Sequence, residues 1–303
     1  MGFGQIGFCA AIVCATFYLG FSTAALAENN AIIEPVLPVQ RSHNTLEQPD
    51  VLGLSNSRKP AQKPTIQPQF SPFGLNCDVR FSATALPTAM VQLNLTAPCH
   101  ISAPITIRHN GLLFTATTSN IGHFNINLPA LQQDAKFDLL LAGSNTYTAK
   151  INIPTATDFR RVALVWAGQA SMEIHAFELL SSATKTKHIW RNNPENPHRA
   201  LQGRGGFLIR FDGGTKPNAS HTEIYSFPTG PFVKPTTTRL HVKISTDKNS
   251  CGKNLTVTAL QSAEAGKLEA TNYSLTMPTC DKVGEHLLLK NLLTDLKTNK
   301  PYN

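Results

Sequence analysis

Beyond its first 27 residues the chain has only four cysteines, and they fall into two local pairs, Cys77 with Cys99 and Cys251 with Cys280. Nothing else in the sequence limits the fold as strongly. Each pair brackets a segment that reads as a β-hairpin, so each pairing can be tested against turn chemistry. A hairpin that sets Cys77 opposite Cys99 turns at Thr88, within Leu86-Pro87-Thr88-Ala89. One that sets Cys251 opposite Cys280 turns between Ala265 and Gly266, in a polar stretch with a glycine for positive φ. Four cysteines allow more than one connectivity, and register favours these two local staples, one per domain. Alternation puts Cys77 in phase with Val79 and Phe81, and Cys99 in phase with Leu93 and Leu95, on a core face. No C-x-x-C occurs and the spacings are not those of a zinc site. The cysteines therefore read as scaffold bridges, not as metal ligands or redox groups.

Bridges of this kind belong to an oxidising compartment, and the N-terminus agrees. Residues 1–27 contain no Asp, Glu, Lys, Arg or His, and an apolar run from Phe8 to Phe21 leads to Ala25-Leu26-Ala27. That is the pattern of a secretory signal peptide, although the stretch before Phe8 carries no Lys or Arg. Cleavage after Ala27 is expected, with an uncleaved anchor as the alternative, and no later segment is long and apolar enough to leave a transmembrane span. The expected location is the periplasm or the exterior. The chain has 27 Lys and Arg against 19 Asp and Glu, a net charge of +8, which draws anionic partners. The basic residues are scattered, without a run of five, so nucleic acid is not an expected partner.

Residues 28–72 hold seven prolines and show no sustained apolar period, which reads as a disordered Pro-rich linker. Residues 73–180 alternate clearly. Val91, Leu93 and Leu95, then Ile105 and Ile107, then Phe124, Ile126 and Leu128 mark one face of successive strands, and Val162, Leu164 and Trp166 follow later. One strand is read as running on past Asn110-Gly111 through Leu113 and Thr115. The fold class is all-β, with this segment an immunoglobulin- or transthyretin-like sandwich. Residues 181–204 are polar and read as a connector. A second β-rich, sandwich-like domain is expected over 205–297, with strands near Phe207–Phe211, Glu223–Phe227, Arg239–Ser245, Leu255–Leu260 and Asn272–Met277. At its end, Leu289, Leu292, Leu293 and Leu296 fit a helical face, so a short strand leading into a helical turn is expected.

The motifs of common enzymes are absent: no G-x-S-x-G, H-E-x-x-H or Walker loop is present. Gly203-Arg204-Gly205-Gly206 precedes a strand and reads as a turn, not a phosphate cradle. Carboxylates in the first domain are sparse, and their spacing singles out no catalytic pair. His100, His109 and His123 offer the nitrogens of a copper or zinc site, but isolated surface histidines are the favoured reading. No metal or cofactor is expected. Trp166 alternates with Val162 and Leu164 and reads as core. Trp190, beside His188 and Arg191 in the polar connector, is the better exposed aromatic. Arg80, Arg108, Arg160 and Arg161 fit either an anion-facing surface or solvated strand faces. The candidate ligand or partner contacts are Trp190, His109, His123 and Arg108.

The segment Ile105–Pro129, with a T-x-x-x-G turn from Thr118 to Gly122 and then Phe-x-Ile-x-Leu-Pro, resembles the carboxypeptidase-regulatory or transthyretin-like sandwich. In that family the residue after the Thr is commonly Asp; Ser119 stands there in this chain. The stretches 97–100, 108–111 and 223–228 and the Leu-rich end resemble an uncharacterised family of exported proteins of Gram-negative bacteria, some of which carry the label translocase. The resemblance implies a periplasmic or surface protein and no known catalytic residue. The sequence therefore points to a non-enzymatic binding or structural module of the cell envelope. Its expected partners are envelope polysaccharide, peptidoglycan or another exported protein. A transport or translocation accessory, or an envelope hydrolase with dispersed catalytic residues, are the alternatives.

Overall fold

Period-two alternation becomes strands along most of the chain. The computed structural model describes residues 69–298 apart from 143–144, 181–185, 215, 217, 231–232, 234–235 and 263–267. The expected signal peptide, and the linker up to residue 68, lie outside the described residues. Residues 69–72 are part of a turn: Phe70 bridges Asn76, and the Cys77 amide donates to the Gln69 carbonyl at 2.9 Å.

The first sandwich is built from β1 (Arg80–Leu86), β2 (Met90–Thr96), β3 (Pro104–His109), β4 (Leu112–Thr117), β5 (His123–Pro129), β6 (Asp134–Leu141) and β7 (Asn145–Asn152). One antiparallel sheet has the order β1-β2-β5 and the facing one β4-β3-β6-β7. The chain crosses between them after β2, β4 and β5, as in Greek-key sandwiches. Alternating residues named above meet in its core: Val91, Leu93, Leu95, Ile105, Ile107 and Leu128 are all buried, and Phe137 and Leu139 of β6 join them. Asn110-Gly111 does not continue a strand but reverses it. His109 pairs with Leu112, and Asn110 and Gly111 take φ of 46° and 87°. Asn-Gly tolerates this left-handed pair, which matches the strand twist. The reversal buries Leu112 and Phe114 rather than Leu113 and Thr115.

The second sandwich contains β8 (Phe159–Ala167), β9 (Ser171–Leu180), β10 (Lys187–Ile189), β11 (Phe207–Phe211), β12 (Ser220–Pro228), β13 (Thr236–Ser245), β14 (Asn254–Ser262), β15 (Leu268–Thr276), β16 (His286–Leu289) and β17 (Leu296–Lys297). Its inner sheet has the order β11-β12-β8-β14-β15, and its outer sheet β10-β9-β13-β16, with β17 also on β13. The structure thus divides differently from the sequence reading. β8 and β9, read as closing the first domain, are strands of the second sandwich, and the sandwiches meet at 153–158 instead of at 181–204. Alternation identifies a strand but not its partners. The polar connector supplies β10 to the outer sheet and a short helix, α1 (Pro197–Leu201), whose cap Asn196 accepts from the His198 amide at 2.8 Å. The Leu-rich end forms no helical turn. It runs as β16 and β17 along β13, and Leu289, Leu293 and Leu296 are buried in the second core.

At β8 and β12 the inner sheet is buried on both faces. Val162, Leu164 and Trp166 of β8 enter the second core, whereas Ala163 and Val165, with Phe211, Ile224 and Leu260, are continuous with the first. All nine residues of β12 are buried. Its hydroxyls cap the open edge of β4: Ser220 Oγ and Thr222 Oγ1 donate to the Leu113 carbonyl at 2.8 and 3.0 Å. An edge strand so covered cannot recruit another chain. The joint is completed by Arg161 of β8, 1% exposed. Its guanidinium reaches the carbonyls of Thr88 and Ala89 at 3.4 and 3.3 Å and that of Ala156 at 3.5 Å, and Nε donates to Ser226 Oγ at 3.2 Å. Burial lowers its pKa to about 9.

Both bridges form, Cys77–Cys99 and Cys251–Cys280, with Cα separations of 5.1 and 5.0 Å. The first continues the β1–β2 register, in which Phe81 faces Leu95. The second is one residue out of register. Leu255 faces Leu275, so Thr279 would face Cys251; Cys280 instead opens a 3₁₀ turn and reaches back.

Candidate functional site

The far face of the outer sheet carries an array of rings. Strand alternation sends Met172, Ile174 and Ala176 of β9 into the core, and Glu173, His175 and Phe177 to the opposite side. On β13, Leu240 and Val242 point inward and Arg239, His241 and Lys243 outward. Register then fixes the rows. His188 of β10, Phe177 and Arg239 lie side by side; His175 faces His241; Glu173 faces Lys243, with Leu288 beyond it. Trp190, held where its backbone bridges Asn193, stacks at 5.4 Å on His175 and at 5.6 Å on His188. Phe177 stacks on His188 at 4.3 Å and meets His241 at 5.3 Å.

The polar atoms of this array are linked. His175 Nδ1 and His188 Nε2 are 2.9 Å apart, one donating to the other. On the far side of the His175 ring, Nε2 lies 3.4 Å from Glu173, and Arg191 lies 3.7 Å from the same carboxylate. Burial lowers the pKa of His175, and the neighbouring His188 lowers it further. Burial and then His241 act likewise on His188, and burial and then Lys290 on His241.

Below this face, polar groups anchor the two sheets of the second sandwich. Glu178, fully buried, accepts from Arg199 Nη2 and Tyr225 Oη at 2.7 Å each and from the Gly206 amide at 2.5 Å. The Gly203-Arg204-Gly205-Gly206 segment is a turn, as expected. Gly205 has φ +123°, and a Cβ there would sit 2.3 Å from the Glu178 carboxylate. Glu223, also fully buried, accepts from the Ile174 amide and lies 3.7 Å from Arg210. Burial raises its pKa to about 7.

The four contacts named from sequence do not converge. Trp190 is half-buried within the ring array. His109 is 1% exposed in the first core, stacked on Phe137 at 4.2 Å. Its Nδ1 donates to the Lys136 carbonyl and its Nε2 accepts from the Leu131 amide, both at 2.9 Å, which leaves no nitrogen for a ligand. His123 is exposed at the start of β5, and Arg108 is exposed on the first sandwich opposite Asp138. Arg161 lies in the joint, not on an anion-facing surface. Trp166 is core, as read, with Nε1 donating to the Ala170 carbonyl at 2.8 Å. Among the described residues no group of three or more His, Cys, Asp or Glu is placed to hold a metal ion, and no helix is long and apolar enough to cross a membrane. In the T-x-x-x-G turn, Thr118 Oγ1 donates to the His100 carbonyl at 2.6 Å, and Ser119 Oγ accepts from the His123 amide at 3.0 Å.

Sequence reasoning missed His241 and did not connect His175 to Trp190. The signal was present in H-x-F at 175–177 and R-x-H-x-K at 239–243, each in phase with the outward side of a strand.

No family model matches the chain, and no curated protein matches it. Among solved structures it is similar, at 12% identity and a TM-score of 0.19, over 66% of this chain and 74% of that one, to a Ca2+-stabilised adhesin that helps an Antarctic bacterium reach out and bind ice.

Proposed function

We propose that this chain is a non-enzymatic binding or structural module of the cell envelope of a Gram-negative bacterium. The observation that carries the reading is the array of Trp190, His188, His175, Phe177 and His241 on the far face of a doubly braced sandwich. The rest of the described architecture supports a scaffold: two bridges, two filled cores and a joint tied by Arg161. The export signal read in the sequence and the bridges suit a periplasmic or surface location. The expected partners are envelope polysaccharide, peptidoglycan or another exported protein.

Co-sedimentation of the purified, disulfide-intact chain with isolated peptidoglycan sacculi and with outer-envelope polysaccharide tests the reading. Binding that Trp190→Ala removes while the melting temperature holds is the expected result. The convergence of Glu173, His175 and His188 favours a second reading, an envelope hydrolase. Release of soluble fragments from these substrates, abolished by Glu173→Gln, would establish that reading and end the first.

A further inference from the structure

The ring array lies within a set of cations. Arg239 and Lys243 point outward on β13, Arg191 follows Trp190, and Lys290 acts electrostatically on His241 from beyond β16. Two carboxylates face them, and both are engaged. Glu173 meets His175 and Arg191, and Asp295 Oδ1 accepts from the Leu240 amide at 3.0 Å. Nearby Lys187 and Arg199 are already paired, with Glu195 at 2.5 Å and Glu178 at 2.7 Å. Among the described residues the face therefore holds a positive excess, Arg191, Arg239, Lys243 and Lys290 against Glu173 and Asp295.

Its shape is equally specific. The planes of Phe177 and His188 differ by 12°, those of His188 and Trp190 by 7°, and those of His175 and Trp190 by 21°. These four rings are nearly parallel, whereas His241 is tilted 55° to Phe177. From the Phe177 row to the Glu173 row is roughly 13 Å along β9, longer than a single sugar ring. Such a strip suits the C–H face of a pyranose, which packs on a ring as other apolar surface does. Imidazole and guanidinium nitrogens beside it suit hydroxyls and carboxylates.

We propose that this face binds an acidic polysaccharide, one whose sugar rings carry carboxylates. Trp190, stacked on His175 and His188, supplies the stacking surface, and Arg191, Arg239 and Lys243 meet the charges. The inference rests on the binding-module reading and narrows it to a ligand class. It also couples binding to protons. The groups facing the ligand are His175, His188 and His241, with Glu173, Asp295, Arg191, Arg239, Lys243 and Lys290 around them. An added anion favours the protonated imidazoles, so the complex takes up protons and tightens as pH falls.

Isothermal titration of the full, disulfide-intact chain with polygalacturonate, and with uncharged dextran as comparison, tests the proposal. Polygalacturonate should bind and dextran should not. Trp190→Ala should weaken binding about tenfold or more. The exposed-face substitutions Arg239→Gln and Lys243→Gln should each weaken it and flatten its salt dependence. Affinity should rise between pH 7.5 and 5.5, and His188→Gln should remove part of that rise. Equal binding of dextran, or polygalacturonate binding indifferent to Trp190 and Arg239, overturns the ligand class and leaves the module reading standing. Failure to bind polygalacturonate together with sacculi and envelope polysaccharide overturns both.

Discussion

Arg161, on the central strand of the second sandwich, donates through Nη2 to the carbonyl of Ala89 at the tip of the first hairpin, 3.3 Å away. The tip is an unusual one. Thr88 and Ala89, neither of them glycine, take φ of 62° and 51°, a conformation that L-residues avoid. One buried guanidinium thus ties a strained turn of one sandwich to a strand of the other.

Arg161→Ala should therefore cost about 3 kcal/mol, from the buried Thr88 carbonyl left without its donor and a cavity at the joint, since the Ala89 and Ala156 carbonyls keep the Ala130 and Phe159 amides. Urea unfolding followed by circular dichroism measures it. A loss below about 1 kcal/mol would mean that apolar contact alone holds the joint.

Two buried groups bend the pH dependence of stability in opposite directions. His109 titrates near pH 4 in the folded chain against an ordinary 6.5, because burial disfavours its charged form. Between those values the unfolded chain holds a proton that the folded chain lacks, so His109 makes stability fall as pH falls. Glu223 titrates near 7 against an ordinary 4.5, again through burial. Between 4.5 and 7 the folded chain holds the extra proton, so Glu223 makes stability fall as pH rises. Each slope is about 1.4 kcal/mol per pH unit, and they largely cancel. Glu223→Gln should uncover the His109 slope: its stability should drop between pH 6.5 and 4.5 while the parent changes little. Parallel denaturation curves for the two proteins across that range would remove the assignment.

Much of the fold was legible because alternation reports directly on burial. The inward sets of β2, β3 and β5 are the ones the sequence marks, and β11 keeps the bounds read for it. Pairing was not legible. β8 reads as one more strand, although Val162 to Trp166 is an unbroken apolar run, the mark of a strand buried on both faces. The leucines at 289, 292, 293 and 296 fit a helix as well as they fit two short strands separated by bends, and only the neighbouring β13 decides between these.

The site was less legible. His109 continues the Ile105, Ile107 phase, a signal for the core that its reading as a surface histidine and ligand contact passes over. Trp190 was identifiable because it stands in a polar stretch. Its partners His175 and His241 lie 15 and 51 residues away along the chain, and only the β9–β13 register brings them opposite one another.

Glu178 is the most heavily bonded carboxylate of the interior, and the Gly205 turn exists to reach it. Breaking a buried pair of this kind costs about 3–5 kcal/mol, so Arg199→Met should destabilise by that order. Gly205→Ala should be severe for a different reason, a methyl group forced against Glu178 at a φ that alanine resists. Because both act on one network, the double variant should lose less than the sum of the singles. Additive losses in a thermal double-mutant cycle would show that the turn and the ion pair are independent.

The two bridges close loops of similar length, with sequence separations of 22 and 29, so chain entropy assigns each about 3 kcal/mol. Their settings differ. Cys77–Cys99 extends a hairpin register that core packing already fixes through Phe81 and Leu95. Cys251–Cys280 joins a buried cysteine to an exposed one across a register slip. Its hairpin partner β15 is an edge strand, largely exposed. Replacing Cys251 and Cys280 with serine should therefore loosen β15 selectively, seen as faster amide exchange over 268–276, while exchange in β1 and β2 stays at the parent rate. Peptide mapping without reductant should first recover both local bridges. Uniform acceleration of exchange across both sandwiches would contradict a local role for the second bridge.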